Sequence, residues 1–188
     1  GKNVTSIDYA AFYNCHSLAS VTIPTGVTSI SNYAFRYCYS IASITIPDGV
    51  TSIGNYVFSD CRSLASITIP TGVTSIGSNA FDNCRSLASI TIPTGVTSIG
   101  YDTFTNGYSL ASITIPDGIT SISDSAFYSC SGMRYYDFSA CTAIPALSGT
   151  SAFGGIPSDC QMLIPSPLYN NWKSATNWAT YASKMVSV

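Results

Sequence analysis

The side chains best able to do chemistry lie in short stretches such as SNYAFRYCYS at 31–40, which recurs, altered, as GNYVFSDCRS at 54–63 and GSNAFDNCRS at 77–86. Six positions of the stretch vary between copies. Across six copies they hold nine Tyr, seven Ser, six Asn, five Asp, three Gly and three Arg, but no Lys, Glu or Gln. Tyr offers a large amphipathic surface with few rotatable bonds, and Ser and Asn adapt their hydrogen bonds, as in antibody binding sites. The chemistry predicted here is non-covalent recognition.

We call these positions the variable columns; they are columns 5, 6, 7, 10, 11 and 13, counted from the Val or Ile that begins each copy. Turns favour Ser, Asn, Asp and Gly in any case, so drift between copies without a partner is the alternative. That alternative does not account for the tyrosines or for the missing Lys and Glu. The predicted ligand-binding residues are the aromatic and cationic members of the columns: Tyr9, Tyr13, His16, Tyr33, Arg36, Tyr37, Tyr39, Tyr56, Arg62, Arg85, Tyr101, Tyr108 and Tyr128.

Catalytic signals are poor. His16 is the one histidine, and no nucleophile elbow, zinc-binding HExxH or phosphate-binding glycine loop occurs. Asp60 and Asp82 fall in neighbouring copies, and paired carboxylates can do acid–base work. A solvated row of aspartates in turns is the simpler interpretation. The chain is therefore predicted not to be an enzyme and to need no cofactor.

The cysteines also follow the repeat, since Cys15, Cys38, Cys61 and Cys84 are spaced by 23 residues. Stacked side chains point the same way, and the total of seven is odd, which favours unpaired buried thiols facing the inside of each turn. Disulfides among the three later cysteines remain an alternative. A metal site is disfavoured because zinc ligands must cluster. The later cysteines are Cys130, Cys141 and Cys160.

The elements that must position these residues come from a 23-residue repeat, V-T-S-I-x-x-x-A-F-x-x-C-x-S-L-A-S-I-T-I-P-x-G. In the third copy, residues 64–69 alternate with period two and predict a strand with one buried face. Residues 50–53 predict a shorter extended piece, 70–72 a turn and 55–61 a tight or 3₁₀ turn. One copy cannot bury enough apolar surface to fold alone, so the copies must stack as a solenoid. They begin at Val4, Val27, Val50, Val73, Val96 and Ile119.

With Leu-x-x-Ile-x-Ile preceded by AFxxC and followed by P-x-G-V-x-x-I-G, the repeat resembles the BspA-like class of bacterial leucine-rich repeats. The resemblance covers residues 4–141, a predicted domain of six repeats. It implies a right-handed, curved solenoid with a parallel β-sheet on its concave side. It also implies a secreted or cell-surface protein engaged in adhesion or protein binding. The sequence departs from the pattern at Gly107, which replaces the column's cysteine, and in the sixth copy after Cys130.

Residues 142–188 are predicted to form a C-terminal capping segment. A strand is expected at 160–165, then a helical segment with Ser166 as N-cap and Pro167 at its first position. An apolar stripe along this segment predicts a lid over the end of the core, which solenoids require. A Trp-lined ligand groove is the alternative. The stripe consists of Leu168, Trp172, Ala175, Trp178, Tyr181 and Met185.

Composition limits the partners. Charged residues make up 9% of the chain and the net charge is −2, without a basic run, so nucleic acid is excluded as the main partner. No apolar stretch is long enough for a membrane span. The chain opens in mid-pattern, which we interpret as a mature fragment lacking its upstream sequence. The predicted function is an extracellular or cell-surface adhesion module for a host or neighbouring-cell protein or glycan. A structural spacer in a cell-surface or phage-tail assembly, without a specific ligand, is the alternative.

Overall fold

The computed structural model describes residues 4–188 and shows a solenoid of about eight coils of roughly 23 residues. Two ladders of very short parallel strands run along it. The predicted strand and turn positions are confirmed, because the third copy places its strands at Ser52–Ile53 and Ser66–Thr68 with turns between them. Ile53 and Ile67 are buried while Ser66 and Thr68 are exposed, which is the predicted alternation.

One ladder contains the extended piece that opens each coil. Its strands are β1 (Ser6–Ile7), β2 (Ser29–Ile30), β4 (Ser52–Ile53), β6 (Ser75–Ile76), β7 (Ser98–Ile99), β9 (Ser121–Ile122) and β11 (Ala146–Leu147). The other ladder contains β3 (Ser43–Thr45), β5 (Ser66–Thr68), β8 (Ser112–Thr114), β10 (Tyr135–Asp137), β12 (Gln161–Ile164) and β13 (Met185–Ser187). All pairs are parallel and keep the repeat in register, as in the Ile53–Ile76 pairing.

The core is continuous because each of the first seven coils contributes one phenylalanine to a single stack. Neighbouring rings lie 5.0–5.6 Å apart between centroids and within 16° of parallel. Phe153 extends the stack beyond the six repeats predicted from the sequence. The stack consists of Phe12, Phe35, Phe58, Phe81, Phe104, Phe127 and Phe153.

Through the first six coils, the backbone around these rings bonds from each coil to the next with the same offset. The N–H of Phe35 donates to the carbonyl of Val57 and that of Phe58 to Ala80, each at 2.9 Å. The turns therefore meet the requirement that buried backbone groups be paired, although they belong to no regular helix.

The cysteine column is buried, as predicted, with Cys15 only partly so. The Cys61 thiol donates to the carbonyl of Phe35 at 3.2 Å, and Cys84 and Cys130 repeat this contact with the coil before them. Burial raises the pKa of Cys38 to about 11 and that of Cys130 to about 12. These thiols stay protonated at neutral pH and are poor nucleophiles.

The helical segment predicted from the apolar stripe is present, but it is divided into separate pieces. A 3₁₀ turn at Ser166–Leu168 leads into the short helix α1 (Tyr169–Ser174), and a second 3₁₀ segment spans Trp178–Lys184. The predicted N-cap was wrong: Pro165 occupies that position, and the Ser166 hydroxyl donates to the Val188 carbonyl at 2.7 Å.

The tryptophans of this segment cover the end of the core. Trp172 and Trp178 are 0% and 1% exposed, so they line no ligand groove. The indole N–H of Trp178 donates to the Pro145 carbonyl at 2.8 Å. Strand pairing runs on across the boundary predicted at residue 141, since β11 pairs with β9, and the division into 4–141 and 142–188 stays a proposal.

Candidate functional site

Columns 5 and 6 of the variable set hold the coils together. The Asn32 side-chain oxygen accepts the backbone N–H of Asn55 at 2.7 Å, and that of Asn55 accepts the N–H of Ser78 at 2.9 Å. Each asparagine side chain fills the space that a Cβ in column 5 of the next coil would need. Column 5 of those next coils therefore holds glycine, at Gly54 and Gly77. Where column 6 holds a tyrosine instead, column 5 of the next coil holds a serine. These two columns vary together for structural reasons.

Gly77→Ala tests this packing. An added Cβ would lie 2.6 Å from the Asn55 backbone nitrogen, so the coils must shift, and we expect a loss of about 1–2 kcal/mol in the free energy of unfolding by denaturant titration. Gly72→Ala is the matched control, because its nearest atom would be 3.6 Å away. Equal stability of the two variants would contradict the packing argument.

Columns 7 and 11 adopt the left-handed αL conformation in all six copies, with φ between 53° and 63°. Six of these twelve positions are Asn or Asp, the non-glycine residues that tolerate this region best. The drift alternative therefore accounts for much of the small polar composition. It does not account for Tyr33, Tyr37 and Tyr56, whose bulky side chains cost roughly 1–2 kcal/mol each in this conformation.

The three αL tyrosines surround one arginine. The guanidinium carbon of Arg36 lies 4.5 Å from the ring centroid of Tyr37, 4.8 Å from that of Tyr56 and 5.5 Å from that of Tyr33. The Tyr33 and Tyr56 rings are themselves stacked at 4.9 Å. Strained backbone that is kept in place by surrounding structure clusters at functional sites, and here all the strained tyrosines converge on one cation.

An open concavity of about 320 Å³ lies beside this arginine. Its lining includes Tyr9, Tyr13 and Tyr33, together with Ala10 and Arg36. Tyr9 packs edge-to-face on Tyr33 at 5.4 Å, and Tyr13 packs edge-to-face on Tyr37 at 5.6 Å. The volume lies at the lower end of the range for small-ligand sites.

Column 13 adds a second row of stacked groups. His16 stacks on Tyr39 at 4.6 Å, and Arg62, the next member of the column, places its guanidinium carbon 4.6 Å from the Tyr39 centroid. Tyr39 also contacts Tyr37 at 6.0 Å, which joins the two rows. We call the joined set the tyrosine–arginine surface; it consists of Tyr9, Tyr13, His16, Tyr33, Arg36, Tyr37, Tyr39, Tyr56 and Arg62.

The other four predicted residues lie outside this surface. Arg85 contacts Tyr108 at 5.6 Å and forms a smaller pair in the fourth and fifth coils. Tyr101 and Tyr128 are exposed and take part in no aromatic pair within residues 4–188. The structure thus places nine of the thirteen predicted residues in one connected group, all in the first three coils. Whether any of the thirteen binds a ligand stays a prediction.

The aspartates are not the solvated row that the sequence predicts. Asp60 is only 7% exposed and accepts both Nε and Nη2 of Arg62, at 3.0 and 2.8 Å. Burial, with repulsion from Asp60 and Asp102, raises the pKa of Asp82 to about 6. Asp82 therefore destabilises the fold when it is ionised, because the unfolded chain ionises it more readily.

The stability of the protein should rise on mild acidification. The folded-state pKa of Asp82 exceeds the usual value of 3.8, so the folded state binds more protons between about pH 4 and 6, and stability falls as pH rises through that window. Partial exposure limits the effect to about 1 kcal/mol. Denaturant titrations at pH 7.5 and 5 should show the gain. Asp82→Asn should raise stability at pH 7.5 and remove most of the pH dependence; an unchanged slope would contradict this origin.

The part of the chain that the structure describes shows no group of three or more His, Cys, Asp or Glu side chains placed to hold a metal ion. Among residues 4–188, no helix has the length and apolar character to cross a membrane.

The family model for the BspA type leucine rich repeat region matches residues 5–134, in six copies. The chain belongs to the BspA-type leucine-rich repeat family. Solved structures agree with this fold. The BspA-type chain superposes on a leucine-rich repeat protein from Bacteroides ovatus ATCC 8483 with a TM-score of 0.62 and 30% identity, covering 87% of this chain and 50% of that one. No curated protein sequence matches it.

Two further BspA-type comparisons give the same fold at 26% identity. The T. pallidum leucine rich repeat protein has a TM-score of 0.61, with 78% of this chain and 72% of that one covered. A leucine rich cell surface protein from Faecalibacterium prausnitzii A2-165 has a TM-score of 0.61, with 96% and 60% covered. The chain thus spans half to three quarters of these relatives.

Sequence reasoning missed two features of the BspA-type site. It did not separate the structural columns 5 and 6 from the exposed ones, although the pairing of Asn with a glycine 22 residues later, as in Asn32 and Gly54, was visible. It also missed the αL backbone, for which the frequent Asn and Asp in columns 7 and 11 were the signal.

Proposed function

We propose that this chain is an extracellular or cell-surface binding module that holds a protein or glycan on the tyrosine–arginine surface. The observation that carries the proposal is the convergence of three strained tyrosines on Arg36. A neutral surface would place Asn or Gly at αL positions, because they cost less there. Tyrosines retained against that preference, beside an open concavity, support selection for contact with a partner.

The composition of the surface supports the same function. Tyr and Arg are the residue types that contribute most to binding energy at protein interfaces, and Tyr rings also stack on sugars. Tyr9 and Tyr13 are 69% and 41% exposed, so their contact area is available. Leucine-rich repeat solenoids in general provide extended binding surfaces.

The location is part of the proposal. It draws on the family and on the relative from Faecalibacterium prausnitzii that is described as a cell surface protein. Partners on a host or neighbouring cell follow from such a location.

An array of mucins, matrix proteins and bacterial polysaccharides tests the proposal, with the Tyr9→Ser/Tyr13→Ser/Tyr39→Ser variant beside the wild type. The matched control is Tyr101→Ser/Tyr108→Ser/Tyr128→Ser, which removes as many tyrosines outside the surface. We expect at least one ligand whose affinity falls at least tenfold in the first variant and stays at the wild-type value in the control. The circular dichroism spectra of both variants should match that of wild type.

The spacer function is the second candidate, because a stack of identical coils also makes a rigid rod. It predicts that no array member binds wild type and that both tyrosine variants differ only in solubility. Equal binding by both variants would instead move the site away from the tyrosine–arginine surface.

A further inference from the structure

Arg36 is positioned but leaves its hydrogen-bonding capacity unused. In the described part of the chain its guanidinium donates no hydrogen bond, and its buried Nε has no partner. Arg62, by contrast, is bonded to Asp60 at 2.8 Å. Three aromatic rings hold the Arg36 guanidinium, and an arginine presents five donors in a fixed planar arrangement that matches a carboxylate.

The residues that line the concavity indicate the rest of the ligand's chemistry. Its rings come from Tyr9, Tyr13 and Tyr33, whose hydroxyls make no hydrogen bond within residues 4–188. Aromatic faces with free hydroxyls fit a pyranose ring, which presents C–H groups on its faces and hydroxyls around its edge. A volume of about 320 Å³ suits one or two sugar units better than a protein face, which needs a far larger area.

Charge argues against a strongly anionic polymer. The variable columns of all six coils together carry five aspartates against three arginines, so these columns as a whole repel polyanions such as nucleic acid or a heavily sulfated chain. A ligand with a single carboxylate, bound at Arg36, avoids that repulsion.

We propose that the concavity binds a carboxylate-bearing sugar of a glycan, with the carboxylate on the Arg36 guanidinium and the pyranose ring against the tyrosines. Sialic acids and uronic acids share this chemistry. The inference rests on the proposed function and names the ligand class of the same surface.

Two pairs of probes separate the sources. The first pair is 3′-sialyllactose and lactose, and the second is a galacturonic acid trimer and the same trimer with its carboxyl groups reduced to alcohols. Titrations followed by saturation-transfer NMR should show at least a tenfold preference for the acidic member of one pair, which identifies the source. Transfer should reach the sugar C–H groups when the tyrosine protons are saturated.

Arg36→Gln should abolish the preference, and Arg36→Lys should keep only part of it, since lysine cannot form the paired contact. Arg85→Gln is the matched control, because Arg85 also lies over a tyrosine but outside the concavity, and it should bind as wild type does. If circular dichroism shows that Arg36→Gln does not fold, the comparison of acidic and neutral probes on wild type still tests whether a carboxylate is required.

Equal affinity for acidic and neutral probes, a preference that survives Arg36→Gln, or no binding to any of the four probes would overturn the inference. The proposed function fails separately, when the array yields no ligand that depends on Tyr9, Tyr13 and Tyr39. If a protein on the array binds while none of the four sugar probes does, the proposed function holds and the inference of a carboxylated sugar is wrong.

Discussion

Trp178→Ala should cost about 3–5 kcal/mol of stability, the largest single-residue effect that we expect in this protein. The indole is 1% exposed, and its ring centroid lies 5.4 Å from that of Phe138, 5.6 Å from that of Phe153 and 5.3 Å from that of Trp172. Its removal leaves a cavity at the end of the phenylalanine stack and the Pro145 carbonyl without its donor. Terminal coils of a solenoid have a neighbour on one side only, so the loss should spread inward from this end.

Denaturant titration followed by circular dichroism measures the whole array, whereas tryptophan fluorescence reports the C-terminal segment alone, because both tryptophans lie there. In Trp178→Ala we expect the fluorescence of Trp172 to change at lower denaturant than the circular dichroism signal. Trp178→Phe keeps most of the packing and should lose only about 1–2 kcal/mol with its hydrogen bond. Coincident transitions at wild-type denaturant concentration in Trp178→Ala would show that this residue does not close the core.

The variant Tyr33→Asn/Tyr37→Asn/Tyr56→Asn should be about as stable as wild type, although it loses several aromatic contacts. Asn tolerates the αL backbone, so the relief of roughly 1–2 kcal/mol at each position offsets the lost aromatic pairs and cation–π contacts, which are worth roughly 0.5–1 kcal/mol each on a surface. The same variant should lose at least tenfold in affinity for any ligand of the tyrosine–arginine surface, since Arg36 loses the rings that hold it. Thermal or denaturant unfolding and a binding titration measure the two effects.

The reciprocal variant Asn79→Tyr/Asn83→Tyr is the control. It places tyrosines in the same two columns of the fourth coil, at φ 58° and 57°, and should lose about 1 kcal/mol per residue. If the triple variant were less stable than wild type while this control were neutral, the αL tyrosines would be structural, and the argument for function from strain would fail.

The coil itself was predictable because its determinants are local. Alternation in residues 64–69 and the Pro70–Gly72 turn decide where the chain extends and where it reverses, and the 23-residue period decides that coils stack. The burial of Asp60 was not predictable in this way. It depends on the next coil, where the Asp82 carbonyl accepts the Asp60 N–H at 2.8 Å, and this contact exists only after stacking.

The C-terminal segment shows how one apolar stripe can span separate helical pieces. Trp172 and Trp178 are six residues apart, and at 3.6 residues per turn they would lie about 120° from each other on one helix. Both are buried because the helix stops at Ser174 and Asn177 turns the chain through φ 64°. The Asn177 amide donates to the Leu147 carbonyl at 2.6 Å, a distant contact that fixes the break.

The candidate site was predictable in its residue types but not in its grouping. Tyr101 and Tyr128 belong to the same columns as Tyr9 and Tyr13, yet only the first three coils bring rings and Arg36 within contact distance. Side chains in adjacent coils meet only when both are long, so the neighbours of each position matter as much as its own identity.

The constant offset of the coil-to-coil hydrogen bonds has a consequence for inheritance. Phe35 bonds to Val57 as Phe58 bonds to Ala80, so each of the first five coils bonds to the next one at equivalent positions. Unequal crossing-over between repeats in the gene would remove or duplicate whole coils and keep these backbone bonds, provided that the residues brought together in columns 5 and 6 still fit each other. Each such event would bring different variable residues side by side, so a lineage can exchange one recognition surface for another without passing through an unfolded protein.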